Sequence, residues 1–176
     1  MTSDGPGDAP GLMTISQFNG LAEPEVQRAL ADCCASRGWL DALLAGRPYE
    51  TIADLLAMSD TVLESLAAPE LERAVGAHPR IGRPPAAGGV AAEWSRREQS
   101  GVAGATDRES EQLASQSHDY ELRFGRVFLV SASGLGTGEV LAQLRRRLGN
   151  TAQDELAEVR RELGKIVRLR LERILR

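Results

Sequence analysis

The stretch Thr151–Leu175 constrains this chain most. Leu156, Val159, Leu163, Ile166 and Ile174 recur there at helical spacing, so they form one apolar stripe on a long helix. Such a helix gains its stability by burying the stripe against other elements. The remaining sequence offers helical partners and no alternating strand pattern.

Glu23-Pro24-Glu25 opens a helix through Val26, Leu30, Cys33 and Cys34, with proline in the first turn and Gly38 as its stop. Trp39 to Ala45 is a short helix. Thr51 to Leu66 is helical in pattern and is expected to break at Ser59-Asp60, read as an N-cap. Further helices are expected over Pro69–Ala77, Val90–Ser100, Thr106–Phe124, Gly138–Leu148 and Thr151–Leu175. Leu113, Ser117, Tyr120 and Phe124 share one face of the 106–124 helix. Val127-Phe128-Leu129-Val130 is the one strand-like run. The expectation is an all-α, single-domain bundle of about eight to nine helices over residues 13–176. Residues 1–12, rich in Gly, Pro and Asp, read as a flexible N-terminal tail.

A chain of 176 residues suits one domain with a substantial core. Its net charge of −4 gives no reason to expect nucleic acid or an anionic membrane as partner. The C-terminal third is rich in arginine, but interleaved Glu155, Glu158, Glu162 and Glu172 suggest a solvated helix face. Cys33 and Cys34 are the only cysteines. Adjacent cysteines make neither a long-range disulfide nor a zinc site, so two reduced residues and a cytoplasmic location are expected. No secretory signal is visible, and no apolar run approaches the roughly 20 residues that span a bilayer.

Five residues stand out chemically. His78 precedes Pro79, which forces it out of the α region at a helix C-terminus. That position favours a protonated ring, in either a general acid–base or a capping role. Ser95 and Glu98 lie at i and i+3 on one helix face, with Trp94 beside Glu98. A carboxylate next to an indole on an inward face loses water, which disfavours its charged form; on an outward face it is an ordinary surface charge. Gln99 can offer an acceptor and donors to a planar ureide or amide. Arg170 falls within ~20° of Leu163 on the apolar stripe, so it either snorkels from the helix end or meets a buried anion. His118 lies off the 113–124 stripe and is expected in solvent. Gly134-Leu135-Gly136-Thr137-Gly138 lacks the lysine and the βαβ setting of a phosphate loop.

These segments carry a family resemblance. Cys33-Cys34-Ala35-Ser36-Arg37-Gly38-Trp39, Arg47-Pro48-Tyr49 and Ala77-His78-Pro79-Arg80-Ile81-Gly82 come first. Ser95-Arg96-Arg97-Glu98-Gln99-Ser100-Gly101, Tyr120–Gly125, Arg147–Asn150 and Leu169-Arg170-Leu171 follow. In this order and spacing the chain resembles the 2-oxo-4-hydroxy-4-carboxy-5-ureidoimidazoline (OHCU) decarboxylase family over nearly all of residues 15–175. The resemblance implies an all-helical, cofactor-free and metal-free enzyme, commonly a homodimer, that acts on a small ureidoimidazoline in urate breakdown and yields (S)-allantoin. It implies His78 and Glu98 as catalytic residues, and Pro79, Ser95, Gln99, Arg170 and the backbone near Val130 as substrate contacts. The chain departs from the family's Phe-Gly-Phe-Pro-Phe at Phe124-Gly125-Arg126-Val127-Phe128, and from a frequent asparagine in the Ser117-His118-Asp119 region. A relative acting on another ureide, or a helical interaction module with Arg170 exposed, are the competing readings.

Overall fold

The computed structural model describes residues 12–83 and 88–176; the expected tail up to residue 11, and part of the loop after His78, lie outside the described residues. Among the described residues there are nine α-helices and no strand. They are α1 (Ile15–Gly20), α2 (Glu23–Cys33), α3 (Arg37–Ala45), α4 (Ile52–Ser65), α5 (Ala68–Gly76), α6 (Val90–Glu98), α7 (Asp107–Phe124), α8 (Thr137–Arg147) and α9 (Ala152–Ile174). A single 3-10 turn, Ser100–Val102, follows α6.

The helix starts follow local chemistry. Thr14, Ser36, Thr51, Thr106 and Thr151 each accept a backbone N–H from the first turn, which satisfies donors a helix otherwise leaves bare. Pro24 and Pro69 sit in first turns, where their missing N–H costs nothing. Gly125 ends α7 in the left-handed conformation, with φ of 70°.

Two expectations on boundaries are corrected. Gly38 does not stop α2, which ends at Cys33; Ser36 starts α3 and Gly38 lies in its first turn. Ser59-Asp60 does not break α4. Ser59 is buried, and its Oγ accepts the Trp39 indole N–H at 2.9 Å, so the hydroxyl serves a tertiary contact and the helix runs on. Val127–Val130 forms no strand either, because no neighbouring chain pairs with it among the described residues.

The helices enclose two apolar clusters. The larger joins α1 to α5 with α9, through Phe18, Leu30, Trp39, Leu43, Leu55, Leu63, Leu71, Leu163 and Leu171. The smaller joins α7 and α8 with the irregular segment that links them, through Leu113, Tyr120, Phe128, Val130, Val140 and Leu144. Segment 127–132 contributes to both: Leu129 belongs to the first cluster, Phe128, Val130 and Ala132 to the second. The segment before α1 is tied to the end of α9, the Met13 N–H donating to the Ile174 carbonyl and the Arg176 N–H donating to the Met13 carbonyl, both at 2.8 Å.

The arginine-rich C-terminal third is not a plain solvated face. Arg147 and Glu155 are both fully buried and paired, and Glu162 is buried as well. Cys33 and Cys34 are free and buried, as expected. Burial pushes the Cys34 thiol up to about 11 and raises that of Cys33 too, so both stay protonated and inert near neutrality. No described helix is long and apolar enough to cross a membrane.

Candidate active site

The seam between the two clusters holds a small hollow of about 20 Å³. His78, Pro79, Ser95, Glu98, Gln99 and Val130 all line it, with Ile81, Phe128, Leu129, Ala132 and Ile166 completing its wall. Six of the seven residues singled out from sequence thus meet in one place, brought from the end of α5, from α6 and from segment 127–132. Space on this scale holds about one water molecule. Ile81 separates it from a cavity of about 530 Å³ lined by Gly82, Arg83, Leu113 and Ser117, among others.

His78 follows the last turn of α5. Its Nδ1 lies 2.8 Å from the Ala74 carbonyl, so Nδ1 carries the proton and donates it. Nε2 is then the lone-pair nitrogen, buried and without a partner among the described residues. Burial lowers the ring's pKa to about 4, and the positive charge of Arg170 adds to this. The bond to Ala74 and the negative charge of Glu98 act the other way and are outweighed. The protonated ring expected from the helix C-terminus is therefore replaced by a neutral one, because desolvation outweighs the helix dipole here.

Arg170 is buried, so it does not snorkel. The anion it meets belongs to the protein. Its Nε donates to Glu98 Oε1 at 3.0 Å and its Nη2 to Glu98 Oε2 at 2.9 Å, a bidentate fork. Nη2 also donates to Ser95 Oγ at 3.1 Å, and Nη1 reaches the Asp32 carbonyl at 3.4 Å. Arg170 consequently stands behind Glu98 and is not in the wall of the hollow, against its expected place as a direct contact. Glu98 is inward, the first of the two alternatives its sequence position left open. It is not left unpaired in apolar surroundings, since Arg173 Nη1 also donates to Oε1, at 2.8 Å. Arg173 was missed in the sequence. Its only signal is position, three residues past Arg170 and so on the same face one turn later.

Gln99 uses its amide oxygen to accept the Gly82 N–H at 3.0 Å, which leaves its NH2 group to donate. The turn after Gln99 can lie this close because Gly101 has no side chain; a Cβ there would collide with the Leu135 carbonyl. His118 is exposed, as expected. No group of metal-ligating side chains occurs among the described residues.

Comparison with known proteins decides the family: the sequence model described as OHCU decarboxylase matches residues 19–172. The chain belongs to the OHCU decarboxylase family. It is 34% identical to a 2-oxo-4-hydroxy-4-carboxy-5-ureidoimidazoline decarboxylase from Amia calva over 138 residues, covering 76% of this chain and 78% of that one. It is 27% identical to the uric acid degradation bifunctional protein TTL from Arabidopsis thaliana over 146 residues, 81% of this chain but 45% of the relative. The fold matches a crystal structure of OHCU decarboxylase in the presence of (S)-allantoin, with TM-score 0.69 and 24% identity, over 80% of this chain and 92% of the other. It also matches a crystal structure of (S)-allantoin synthase, with TM-score 0.72 and 19% identity, over 93% of this chain and 54% of that one.

As a member of the OHCU decarboxylase family the chain is a decarboxylase, a carboxy-lyase of urate degradation. Its departures from the family pattern fall outside the hollow. Arg126 donates to Glu72 and is not in the wall, and Ser117 and His118 face the larger cavity.

Proposed function

We propose that the hollow decarboxylates 2-oxo-4-hydroxy-4-carboxy-5-ureidoimidazoline to (S)-allantoin without cofactor or metal. The observation that carries this reading is the unpartnered Nε2 of His78, a neutral acceptor sharing one wall with Glu98 and Gln99.

Loss of CO2 leaves an electron pair on the carbon that bore the carboxylate. In this substrate the pair forms a double bond to the neighbouring carbon as the adjacent C=N bond opens and its nitrogen takes a proton. The product of that step is an enol. It becomes a ketone when its hydroxyl proton leaves and its other carbon gains one, which creates the stereocentre. The substrate is its own electron sink, so the protein's tasks are orientation, charge stabilisation and directed proton transfer.

His78 Nε2 accepts the hydroxyl proton, a role a protonated ring could not fill. Glu98, fixed by two guanidinium groups, receives ring or ureido N–H groups and takes part in the proton transfer. Pro79 and Ser95 shape the wall, while the Gln99 NH2 group and the backbone at Val130 hold the ring. Arg170 orients Glu98 in the arrangement described. For it to reach the substrate's carboxylate directly, the Glu98 contact must open, and Arg173 then keeps Glu98 paired. Substrate is larger than one water, so side chains must withdraw to admit it; Ile81 lines both the hollow and the large cavity beside it.

A buried Arg170 speaks against an interaction module, which would display it. Arg126 tied to Glu72 gives no reason to prefer another ureide. Two buried thiols suit a reducing, cytoplasmic setting, and the family resemblance implies a homodimer, which light scattering on the purified protein tests. For the activity, substrate is generated from urate by the preceding oxidase and hydrolase steps, and the circular dichroism of allantoin is followed. Enantiopure (S)-allantoin formed faster than the spontaneous reaction supports the proposal. A rate no higher than that without protein rejects it.

A further inference from the structure

Segment 127–132 presents an unusual problem: it is buried, irregular and without a strand to pair with. Unpaired buried peptide groups are costly, so something must replace the missing ladder. Two side chains do so. Arg147 Nη1, from the end of α8, donates to the Leu129 carbonyl at 2.7 Å. Glu162 Oε2, from α9, accepts the Ser131 N–H at 2.7 Å. Neither residue lines the hollow.

These two bonds flank Val130 on both sides. The Leu129 carbonyl shares a peptide plane with the Val130 N–H, and the Ser131 N–H shares one with the Val130 carbonyl. Both peptides are trans, so within each plane the C=O and N–H point in opposite directions. Arg147 therefore aims the Val130 N–H away from α8, and Glu162 aims the Val130 carbonyl away from α9. Among the described residues, neither of those Val130 groups has a partner. The result is one donor and one acceptor, adjacent and without a partner among the described residues, on a residue that lines the hollow.

The anchors themselves are held firmly. Arg147 donates through Nε to Glu155 Oε1 at 2.9 Å, and its guanidinium lies 4.6 Å from the centre of the Phe128 ring. Tyr120 and Asn150 complete the bonding of Glu155. Glu162 is buried and pairs with Lys165. A charged donor on the Leu129 carbonyl also polarises that peptide, which strengthens the N–H on its far side.

We propose that Arg147 and Glu162 are positioning residues for the reaction, setting the Val130 N–H and carbonyl as a two-point contact for the N–H/C=O edge of a cyclic ureide. The inference rests on the decarboxylase reading and adds the device that fixes substrate orientation. A contact made equally in ground and transition states appears in KM and leaves kcat alone.

The decisive pair of variants is Glu162→Leu and Glu162→Gln. The amide oxygen of glutamine still accepts the Ser131 N–H, whereas leucine cannot. With allantoin formation as the assay, Glu162→Leu raises KM by roughly 5- to 20-fold, the size of one lost directed hydrogen bond, with kcat within about twofold. Glu162→Gln stays within about twofold of wild type in both. Titration with (S)-allantoin shows weaker binding to Glu162→Leu by a similar factor, even where turnover is slow. A packing role alone would lower the melting temperature and leave KM and allantoin affinity of the folded protein unchanged; that result overturns the inference, as does equal impairment of both variants. Wild-type protein without turnover overturns the decarboxylase reading itself and this contact with it.

Discussion

The bundle holds two buried arginine–glutamate pairs, and they differ in what their carboxylates do with the remaining hydrogen-bonding capacity. Glu155, paired with Arg147, is fully buried and spends it on protein, since Tyr120 and Asn150 also donate to it. Glu98, paired with Arg170 and Arg173, keeps one side in the wall of the hollow beside an unpartnered imidazole nitrogen. Both pairs obey the same rule, that a buried charge requires a counter-charge and hydrogen bonds. What separates them is completeness. The closed set takes no ligand itself and reaches the site only through the backbone that Arg147 holds, whereas the open set is left able to take a ligand.

If that contrast is right, damage to the two sets shows up in different measurements. The largest effect belongs to the open set: His78→Asn lowers kcat by about 10²–10⁴-fold, the usual worth of a positioned acid–base group, with little change in melting temperature. A stereospecific rate close to wild type would remove the imidazole from the chemistry. Next, Glu155→Ala strands a buried guanidinium and lowers the unfolding free energy by about 3–5 kcal/mol, read by denaturant titration. Replacing both Arg147 and Glu155 with apolar residues recovers part of that loss, whereas a double variant worse than either single would show that the contrast has been drawn wrongly.

Acid provides a third separation. The folded ring of His78 has a pKa of about 4, below its unfolded value of 6.5. The unfolded chain therefore takes up that proton first as pH falls, and the stability contributed above pH 6.5 is lost progressively down to about 4. The kcat/KM profile should keep its plateau through pH 6 and fall only towards the folded value. An acid limb at 6.5 would mean a ring open to water. The smallest effect is that of Arg173→Ala. Its side chain is partly exposed, so the stability change stays at about 0–1 kcal/mol, while a several-fold drop in kcat/KM reports the loosened Glu98.

What sequence could reveal tracks whether a feature is local. Periodicity located the helices, and the break in the α9 stripe singled out Arg170 as a charge that either snorkels or meets a buried anion. Its partner could not be read, because Glu98 lies 72 residues away on another helix. The same gap explains the misreading of Glu155 and Glu162 as solvated: charge alternation along a helix gives the face and not the neighbour. Ser59 looked like a cap because caps are local, yet its hydroxyl is used by an indole from α3. Val127–Val130 looked like a strand because its residues suit one. It stays irregular because side chains from α8 and α9, and no second strand, supply what its backbone needs. The residues that the family resemblance implied lie together around the hollow, with Arg170 one layer back behind Glu98.

The strap between Met13 and the end of α9 has a use of its own. Because Met13 and Arg176 lie side by side, a short Gly/Ser linker could join residues 13 and 176 directly. New ends could then be opened at exposed Ala67, in the turn between α4 and α5. Such a circular permutant should keep its hollow intact, since Ala67 is not among the residues of its wall.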